Sequence, residues 1–226
     1  MTKRNTPHVQ TFGCRLNIWE TEVLRDQAAA AGLSNAIIFN TCAVTAEAEK
    51  QARQAIRKAR RDHPDARIIV TGCAAQIAPE IWADMPEVTQ VLGNHDKLKP
   101  ESWKKLAVSD APSLLVSDIM EVRETASHLV DSFNERTRAF LQVQQGCDHR
   151  CTFCIIPYGR GNNRSVPASE LIYAAKNLVA NGCKELVLTG VDITSWGSDL
   201  PGRSCLGNLV RQLLTEVRGL PRLRLS

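Results

Sequence analysis

The sequence lacks any long run of apolar residues. Nowhere do about 18 uncharged apolar residues follow one another, the length that a membrane-spanning helix needs. The opening segment, MTKRNTPHVQTFG, has basic residues but no apolar stretch of the kind found in secretory signals. We therefore expect a cytoplasmic protein that has no membrane segment and no membrane partner.

A strong charge of either sign is also missing. The 226 residues carry 28 Lys and Arg against 24 Asp and Glu, a formal net charge of +4, and 43% of them are hydrophobic. These values are ordinary for a globular protein, and they are compatible with a nucleic-acid partner without requiring one. The sequence does contain eight cysteines. In a reducing compartment, thiols bind metals or do chemistry more often than they form disulfides.

Strand and helix patterns alternate along the chain. Apolar, β-prone runs such as AIIFN and ARIIVTG are separated by segments with helical spacing, one of them with Thr45 as the expected N-cap. Near-continuous Val and Ile runs between amphipathic helices indicate a parallel sheet with helices on both faces. We therefore expect an α/β protein whose first domain, residues 1–107, is a doubly wound parallel sheet.

The pattern changes after this domain. Residues 108–136 show no sustained period, and we expect them to form a connector. Residues 137–226 return to β/α order but contain only three predicted strands, whereas a complete eight-fold barrel has roughly 250 residues. The second domain is expected to be the first part of a β/α barrel, and the chain to be a truncated product or fragment.

Three cysteines fall just past the ends of predicted strands: Cys14 in TFGC, Cys42 in FNTC and Cys73 in VTGC. In an open parallel sheet, the carboxyl ends of the strands share one edge, where ligands bind. The three thiols should therefore converge in space, although small apolar cysteines also fill cores at strand ends. The functional interpretation is a metal centre with three cysteine ligands.

A second trio, Cys147, Cys151 and Cys154, lies in GCDHRCTFC, after the first strand of the second domain. A fourth cysteine is missing, so the pattern differs from the paired short spacings of a closed structural zinc site. Zinc with His149 as an additional ligand is one alternative, and an iron–sulfur cluster, ordinarily held by four thiolates, is the other. With only three thiolates, one iron keeps a position open for a substrate or cofactor, as catalytic metal sites do.

These motifs resemble those of one enzyme family. The spacing C-x3-C-x2-C, with an aromatic residue before the last cysteine, resembles the signature of radical S-adenosylmethionine (SAM) enzymes. The longer run GCDHRCTFCIIPYGRG resembles the methylthiotransferase branch, and TFGCRLN, NTCAVT and TGCAAQ are similar to the three cysteine motifs of that branch's N-terminal domain. The resemblance covers almost the whole chain except the connector. It implies that the second domain is part of a radical SAM β/α barrel of the TIM type.

Within the branch, TFGCRLN and the later VLTGVDITSWGSDLPG resemble the members that act on N6-threonylcarbamoyladenosine at tRNA position 37, beside the anticodon. Members that act on isopentenyladenosine more usually have GCQMN at the first cysteine, and those that act on a ribosomal protein have GCPKN. Arg15-Leu16-Asn17 fits the first set. The alternatives are a methylthiotransferase for one of the other two substrates and a non-catalytic, metal-bearing RNA-binding module.

The resemblance implies two [4Fe-4S] clusters with different tasks. The cluster that binds SAM at its open iron, and so generates a 5′-deoxyadenosyl radical, would be held by Cys147, Cys151 and Cys154. The cluster whose open iron carries the sulfur to be inserted at C2 of the adenine would be held by Cys14, Cys42 and Cys73. The implied partners are a tRNA anticodon loop and an electron donor such as a flavodoxin-type reductant.

Three further residues are implied as contacts to SAM, namely Phe153, Thr189 and Gly190. Phe153 could instead simply pack the cysteine loop, and Gly190 could serve a tight turn.

Basic residues indicate where RNA could bind. The helix EAEKQARQAIRKARRDH is rich in Arg and Lys, but it also carries acidic residues, and a mixed charged face is usually just solvated. Arg160 and Arg164 follow the second trio and are better placed for RNA contact, because we expect them to lie near the mouth of the active site.

Overall fold

A five-stranded parallel sheet forms the N-terminal part of the protein. The computed structural model describes residues 7–108, 110–123 and 137–226. Within these residues, the strands of the first sheet lie side by side in chain order: β1 (His8–Thr11), β2 (Ala36–Thr41), β3 (Arg67–Gly72), β4 (Gln90–Leu92) and β5 (Leu114–Leu115). The register sets Phe39 of β2 beside Val70 of β3, so the predicted Val and Ile runs form the centre of the sheet.

Helices connect these strands. They are α1 (Arg15–Ala30), α2 (Ala46–Asp62), α3 (Cys73–Ile77), α4 (Pro79–Ala83) and α5 (Pro100–Ala107), with a short 3-10 helix at Asp96–Leu98. The predicted N-cap of α2 is confirmed, because the Thr45 hydroxyl accepts a hydrogen bond of 3.2 Å from the backbone N–H of Ala48. Pro79 and Pro100 occupy the first turns of α4 and α5, where the absence of a backbone N–H costs nothing.

Both faces of the first sheet are covered by helices. Successive strand residues point to opposite faces, and accordingly Phe39 packs with Ile56 of α2 whereas Ile38 packs with Leu24 of α1 and Trp103 of α5. The expected parallel sheet with helices on its two faces is therefore confirmed.

The segment expected to be a connector contains the last strand of this sheet. Leu114 pairs with Val91 of β4 in parallel. A strand of two residues is too short to show a period in the sequence, which is why the pattern gave no sign of it. Part of the segment 108–136 thus belongs to the first sheet, while Ser109 and residues 124–136 lie outside the described residues.

The second part of the chain is again β/α. Its strands and helices are β6 (Arg138–Gln142), β7 (Gln144–Gln145), α6 (Ile156–Arg160), β8 (Arg164–Ser165), α7 (Ala168–Ala180), β9 (Glu185–Thr189), α8 (Leu206–Glu216) and β10 (Arg222–Leu225), with a 3-10 helix at Ile193–Ser195. Strands β10, β9 and β6 form a parallel sheet, as expected for the first part of a β/α barrel, and β7 and β8 form a small antiparallel pair. In the described part of the chain, none of the helices has the length and apolar character needed to cross a membrane.

Helix α1 is shared by the two parts. One side of it contributes Leu24 and Ala28 to the core under the first sheet. Its other side contributes Leu16, Trp19 and Val23 to the core that contains β6, β9, α7 and α8. Each of these side chains is buried, and burying one large apolar side chain contributes about 1.5 to 3 kcal/mol. Helix α1 therefore holds the carboxyl edge of the first sheet against the second part of the chain.

Candidate metal and cofactor sites

The first cysteine trio lies at the carboxyl edge of the first sheet. Cys14 precedes α1, Cys42 directly follows β2, and Cys73 is the first residue of α3 after β3. All three line one cavity of about 470 Å³. The predicted convergence of the three thiols is therefore confirmed: all three line the cavity, with Cys14 exposed, Cys73 partly exposed and Cys42 buried.

Close packing of two loops brings these thiols together. A β-carbon at Gly13, whose φ is +98°, would lie 2.6 Å from the Cys42 β-carbon, so only glycine fits this position. The Asn17 side chain donates hydrogen bonds to the carbonyl oxygens of Phe12 at 2.7 Å and Thr41 at 3.1 Å. Asn17 thus joins the chain just before Cys14 to the chain just before Cys42.

The electrostatics of the trio fit a positively charged ligand. Burial raises the pKa of the Cys42 thiol, and negative charge on Cys73 and Cys14 raises it further. Three thiolates at one site therefore oppose one another's ionisation, and bound metal ions would relieve this opposition. The donor set suits iron as a thiolate-ligated cluster. Within residues 7–108, 110–123 and 137–226, no three His, Cys, Asp or Glu side chains are arranged so that they could hold a single metal ion.

The wall of this cavity opposite the first trio comes from the second part of the chain. It includes Arg160 of α6, Thr189 at the end of β9, and Gly190 and Val191, which follow β9. The φ of Gly190 is not positive, so the tight-turn interpretation does not hold. A β-carbon there would lie 2.9 Å from the Gln144 carbonyl oxygen, and glycine is needed because the chains approach so closely. Two of the three expected SAM contacts therefore border the first trio.

A buried group of charges adjoins the first trio. Arg160 is 2% exposed, and its Nε donates to Cys73 Sγ at 3.1 Å. Its terminal nitrogens bind the Glu20 carboxylate and, at 2.5 Å, Asn17 Oδ1. Lys97 is fully buried, and its Nζ donates to Oε2 of Glu20 at 2.6 Å. One carboxylate thus meets two cations, which leaves one positive charge in excess beside the thiols.

The expectation that Arg160 and Arg164 contact RNA is wrong. Arg160 and Arg164 are 2% and 5% exposed, and Arg164 donates to the carbonyl oxygens of Asn162 and Arg160. Burial is the main cause that lowers the pKa of Arg164, to about 10. The physical reason is that α6 packs against α3, which buries Arg160, and that Arg164, in β8, binds backbone carbonyl groups inside the protein.

The basic residues of α2 are largely engaged within their own domain. Arg53 lies over the ring of Trp82 with 4.5 Å between the guanidinium carbon and the ring centroid. Arg60 donates to the carbonyl oxygens of Glu87 and Ala66 at 2.8 and 2.9 Å. These contacts favour the interpretation of α2 as a structural, solvated helix.

The second cysteine trio lies on the loop between β7 and α6. The backbone N–H of Cys147 donates to the Gly161 carbonyl at 3.0 Å, and that of Cys154 donates to the Cys151 carbonyl at 3.0 Å. Burial raises the pKa of Cys147, and the charges of Asp192, Cys154 and Cys151 act in the same direction. The second trio therefore shows the same mutual opposition to ionisation as the first.

Two side chains of this loop, those of Phe153 and His149, differ in their contacts. Phe153 is 91% exposed, so it does not pack the loop and its ring is accessible to a ligand. The side chain of His149 is 69% exposed, and its Nε2 lies 3.3 Å from Asp192 Oδ2. The Cys147 thiol donates to the same Asp192 oxygen at 3.9 Å. The imidazole of His149 is therefore directed at a carboxylate.

Gln144 is a site residue that the sequence motifs did not identify. Its amide is fully buried and donates to the Gly146 carbonyl at 2.6 Å and to Asn163 Oδ1 at 2.7 Å. Its oxygen accepts from the backbone N–H groups of Val191 at 3.0 Å and Asp192 at 2.8 Å. One side chain thus joins the loop of the second trio to the end of β9. One indication of its role is present in the sequence, namely the polar glutamines in the otherwise strand-like run FLQVQQ.

The end of β9 lies between the two trios. Thr189, Gly190 and Val191 line the cavity of the first trio, and the next residue, Asp192, contacts Cys147 of the second. The carboxyl ends of parallel strands from both sheets therefore meet in one region. This arrangement can hold two thiolate-bound groups on either side of a short backbone segment.

Comparison with known proteins agrees with this geometry. Residues 6–93 match the uncharacterized protein family UPF0004, and residues 141–200 match the radical SAM superfamily. Over 96% of its length, the chain is 53% identical to threonylcarbamoyladenosine tRNA methylthiotransferase MtaB of Rickettsia prowazekii (strain Madrid E). It is 38% identical, also over 96% of its length, to the protein of the same name from Bacillus subtilis (strain 168).

The chain belongs to the radical SAM methylthiotransferase family. It spans about half the length of these relatives, 51% and 50% respectively. In this family member each matched segment carries one trio, Cys14, Cys42 and Cys73 in the first and Cys147, Cys151 and Cys154 in the second.

A solved structure supports the fold of this family member. It is that of the radical S-adenosylmethionine methyltransferase TsrM from Kitasatospora setae, with cobalamin and a [4Fe-4S] cluster bound. The TM-score is 0.50 at 14% sequence identity, with 84% of this chain and 44% of that chain covered. At this identity the similarity concerns the fold alone.

Proposed function

We propose that this methylthiotransferase-family protein inserts sulfur and a methyl group at C2 of N6-threonylcarbamoyladenosine at position 37 of tRNA. One observation carries the proposal: Cys14, Cys42 and Cys73 share a cavity with Thr189 and Gly190, which end the strand beside the second trio. A sulfur source and a radical source must act on the same carbon atom. The shared cavity supports the proposal that both trios act at one place.

The residues present fit two [4Fe-4S] clusters. Each trio supplies three thiols, one fewer than the four that ordinarily hold a cubane cluster, so one iron keeps an open position. We propose that one cluster is held by Cys14, Cys42 and Cys73 and the other by Cys147, Cys151 and Cys154. When bound, the clusters and SAM supply the electron, the hydrogen-abstracting radical, the sulfur and the methyl group.

The chain's own residues position these groups. We propose that the exposed ring of Phe153 lies against SAM and that Thr189 and Gly190 contact it with their backbone. Gln144 keeps the segment from Gly190 to Asp192 at a fixed distance from the cysteine loop, because its four hydrogen bonds to Gly146, Asn163, Val191 and Asp192 span the two.

The substrate assignment is supported by the two relatives, which are named as threonylcarbamoyladenosine tRNA methylthiotransferases. The motif Arg15-Leu16-Asn17 agrees with this branch, and the structure explains its last residue, since Asn17 joins the two loops of the first trio and binds Arg160. We further propose that the protein is cytoplasmic and that its partners are a tRNA anticodon loop and a flavodoxin-type reductant. The domain boundaries near residues 107 and 137 are also proposals, with β5 assigned to the first sheet.

Mass spectrometry of tRNA nucleosides tests the substrate. Cells that lack the gene should lose the methylthio group from N6-threonylcarbamoyladenosine and keep it on isopentenyladenosine. Loss from isopentenyladenosine instead would show that the branch assignment is wrong. Unchanged tRNA together with a loss of methylthiolation from a ribosomal protein would assign the third branch.

A further inference from the structure

Arg160 reaches from one domain into the metal site of the other. It ends α6 in the second part of the chain, yet its Nε donates to Sγ of Cys73, 3.1 Å away, at the edge of the first sheet. Cys73 Sγ is also 3.6 Å from Nδ2 of Asn94, a residue that follows β4 of the first sheet. The first trio therefore includes a thiol that receives hydrogen bonds from both parts of the chain.

The guanidinium of Arg160 is fixed in place on its other side. Its terminal nitrogens bind the Glu20 carboxylate and Asn17 Oδ1. Glu20 is in turn held by Lys97 at 2.6 Å and by the side-chain N–H of Asn40 at 3.0 Å. All four partners are completely buried, so Arg160 cannot turn towards solvent without breaking an enclosed network.

Glycine at position 159 permits this approach. A β-carbon there would lie 3.0 Å from the Cys73 β-carbon and 3.3 Å from Cδ1 of Ile77. The Gly159 carbonyl accepts a hydrogen bond of 2.5 Å from Nδ2 of Asn94. The backbone of α6 thus lies directly against the first residues of α3, with no side chain between them.

Hydrogen bonds to a cysteine sulfur and a nearby positive charge both stabilise the reduced, more negative form of an iron–sulfur cluster. We propose that Arg160 is a positioning residue that completes the first-trio site from the second domain and raises the reduction potential of the cluster held there. This inference rests on the proposed function, since it requires a cluster on Cys14, Cys42 and Cys73. The first domain by itself would supply the thiols without this cation.

The test uses the 226-residue chain with Cys147, Cys151 and Cys154 all changed to Ala, so that the first trio holds its only cluster. A potentiometric titration with dithionite as the electron donor, followed by electron paramagnetic resonance, measures the one-electron reduction of this cluster. In the Arg160→Gln chain we expect the equilibrium constant for reduction to fall at least tenfold, which is about 59 mV for a one-electron couple. The Arg160→Lys chain keeps the charge but loses the Nε–H donor, and we expect a smaller fall.

Arg211→Gln is the matched control, because Arg211 lies exposed on α8, far from both trios in the chain, and its side chain donates to Asn208 at 3.4 Å. It should leave the potential unchanged. If Arg160→Gln does not fold by circular dichroism, Arg160→Lys and Gly159→Ala provide the same comparison, since the added methyl group displaces α6 from Cys73. Loss of iron from a folded Arg160→Gln chain would support a role in completing the site.

The iron content of the parent chain separates the two proposals. A parent that binds about four irons and shows the same potential as Arg160→Gln would overturn the role of Arg160 while leaving the cluster assignment intact. A parent that binds no iron–sulfur cluster would contradict the cluster assignment itself, and the role of Arg160 with it.

Discussion

Glu20 and Lys97 form an ion pair from which solvent is fully excluded, with 2.6 Å between carboxylate oxygen and ammonium nitrogen. Arg160 binds the same carboxylate from the other domain. Burial alone would raise the pKa of Glu20, but the charges of Arg160 and Lys97 outweigh it and lower the pKa to about 2. A single carboxylate on α1 therefore pairs with two buried cations next to the first cysteine trio.

This network should make the stability of the protein depend on pH through Glu20. Because its pKa is lower in the folded state than the ordinary 4.5, its contribution is complete above pH 4.5 and is lost as the pH falls towards about 2. The size of the shift corresponds to about 3 kcal/mol. Urea unfolding measured from pH 6 downwards should show this loss in the native sequence, and Glu20→Gln should lack that part of the slope.

At neutral pH, Glu20→Gln should also lower the free energy of unfolding by about 3 to 5 kcal/mol, because it leaves buried cations without their counter-ion. Glu22→Gln is the control, since Glu22 lies on the same helix and pairs with the part-exposed Arg25. Stability curves for Glu20→Gln and Glu22→Gln that run parallel with pH would contradict the assigned role of Glu20.

Metal analysis should distinguish the cysteines of the two trios from the others. Anaerobically purified protein should contain about eight irons and eight sulfides per chain, from two cubane clusters. Cys151→Ala should abolish reductive cleavage of SAM and retain about four irons. Cys205→Ala, at an exposed cysteine outside both trios, should keep the full content. Zinc in place of iron would refute the enzyme assignment.

Removal of the Gln144 amide should loosen the connection between the cysteine loop and β9. In Gln144→Leu the backbone N–H groups of Val191 and Asp192 lose their acceptor inside the protein. Leaving a buried donor unsatisfied costs about 1 to 3 kcal/mol, and these two N–H groups are partly buried, so we expect the free energy of unfolding to fall by about 2 kcal/mol. Gln51→Leu, at an exposed glutamine on α2 that bonds to Glu47, should change it by less than about 0.5 kcal/mol.

Phe153 should matter for SAM binding and hardly at all for folding. Its ring is 91% exposed, so Phe153→Ala should change the free energy of unfolding by less than about 0.5 kcal/mol. Loss of an aromatic contact worth about 1 kcal/mol should weaken SAM binding roughly fivefold, as measured by equilibrium dialysis. Tyr173→Ala, at an exposed aromatic residue on α7, should alter neither quantity. Equal SAM affinity in the Phe153→Ala chain would contradict the proposed contact.

The sequence predicted the order of strands and helices better than it predicted the surroundings of individual side chains. Strands ending before Cys42 and Cys73 follow from local runs of Val, Ile and Thr, and parallel strands necessarily bring their carboxyl ends to one edge. The strand at Leu114–Leu115 escaped prediction, because two residues carry no period and pair only once β4 is in place. Gln144 was missed for a related reason, since its partners are distant in sequence.

The amino-acid sequence by itself determined the α/β order, the two cysteine trios and their spacing, since each depends on residues that are close together in the chain or on a period that repeats locally. Only the tertiary structure decided the environment of Arg160. An arginine is mostly exposed in proteins, and the prediction of RNA contact rested on its position after the cysteine loop, near the mouth of the active site. Packing of α6 against α3 instead buries Arg160 with Glu20 and brings its Nε to Cys73, because the contact between the two parts of the chain excludes water from the Arg160–Glu20 pair.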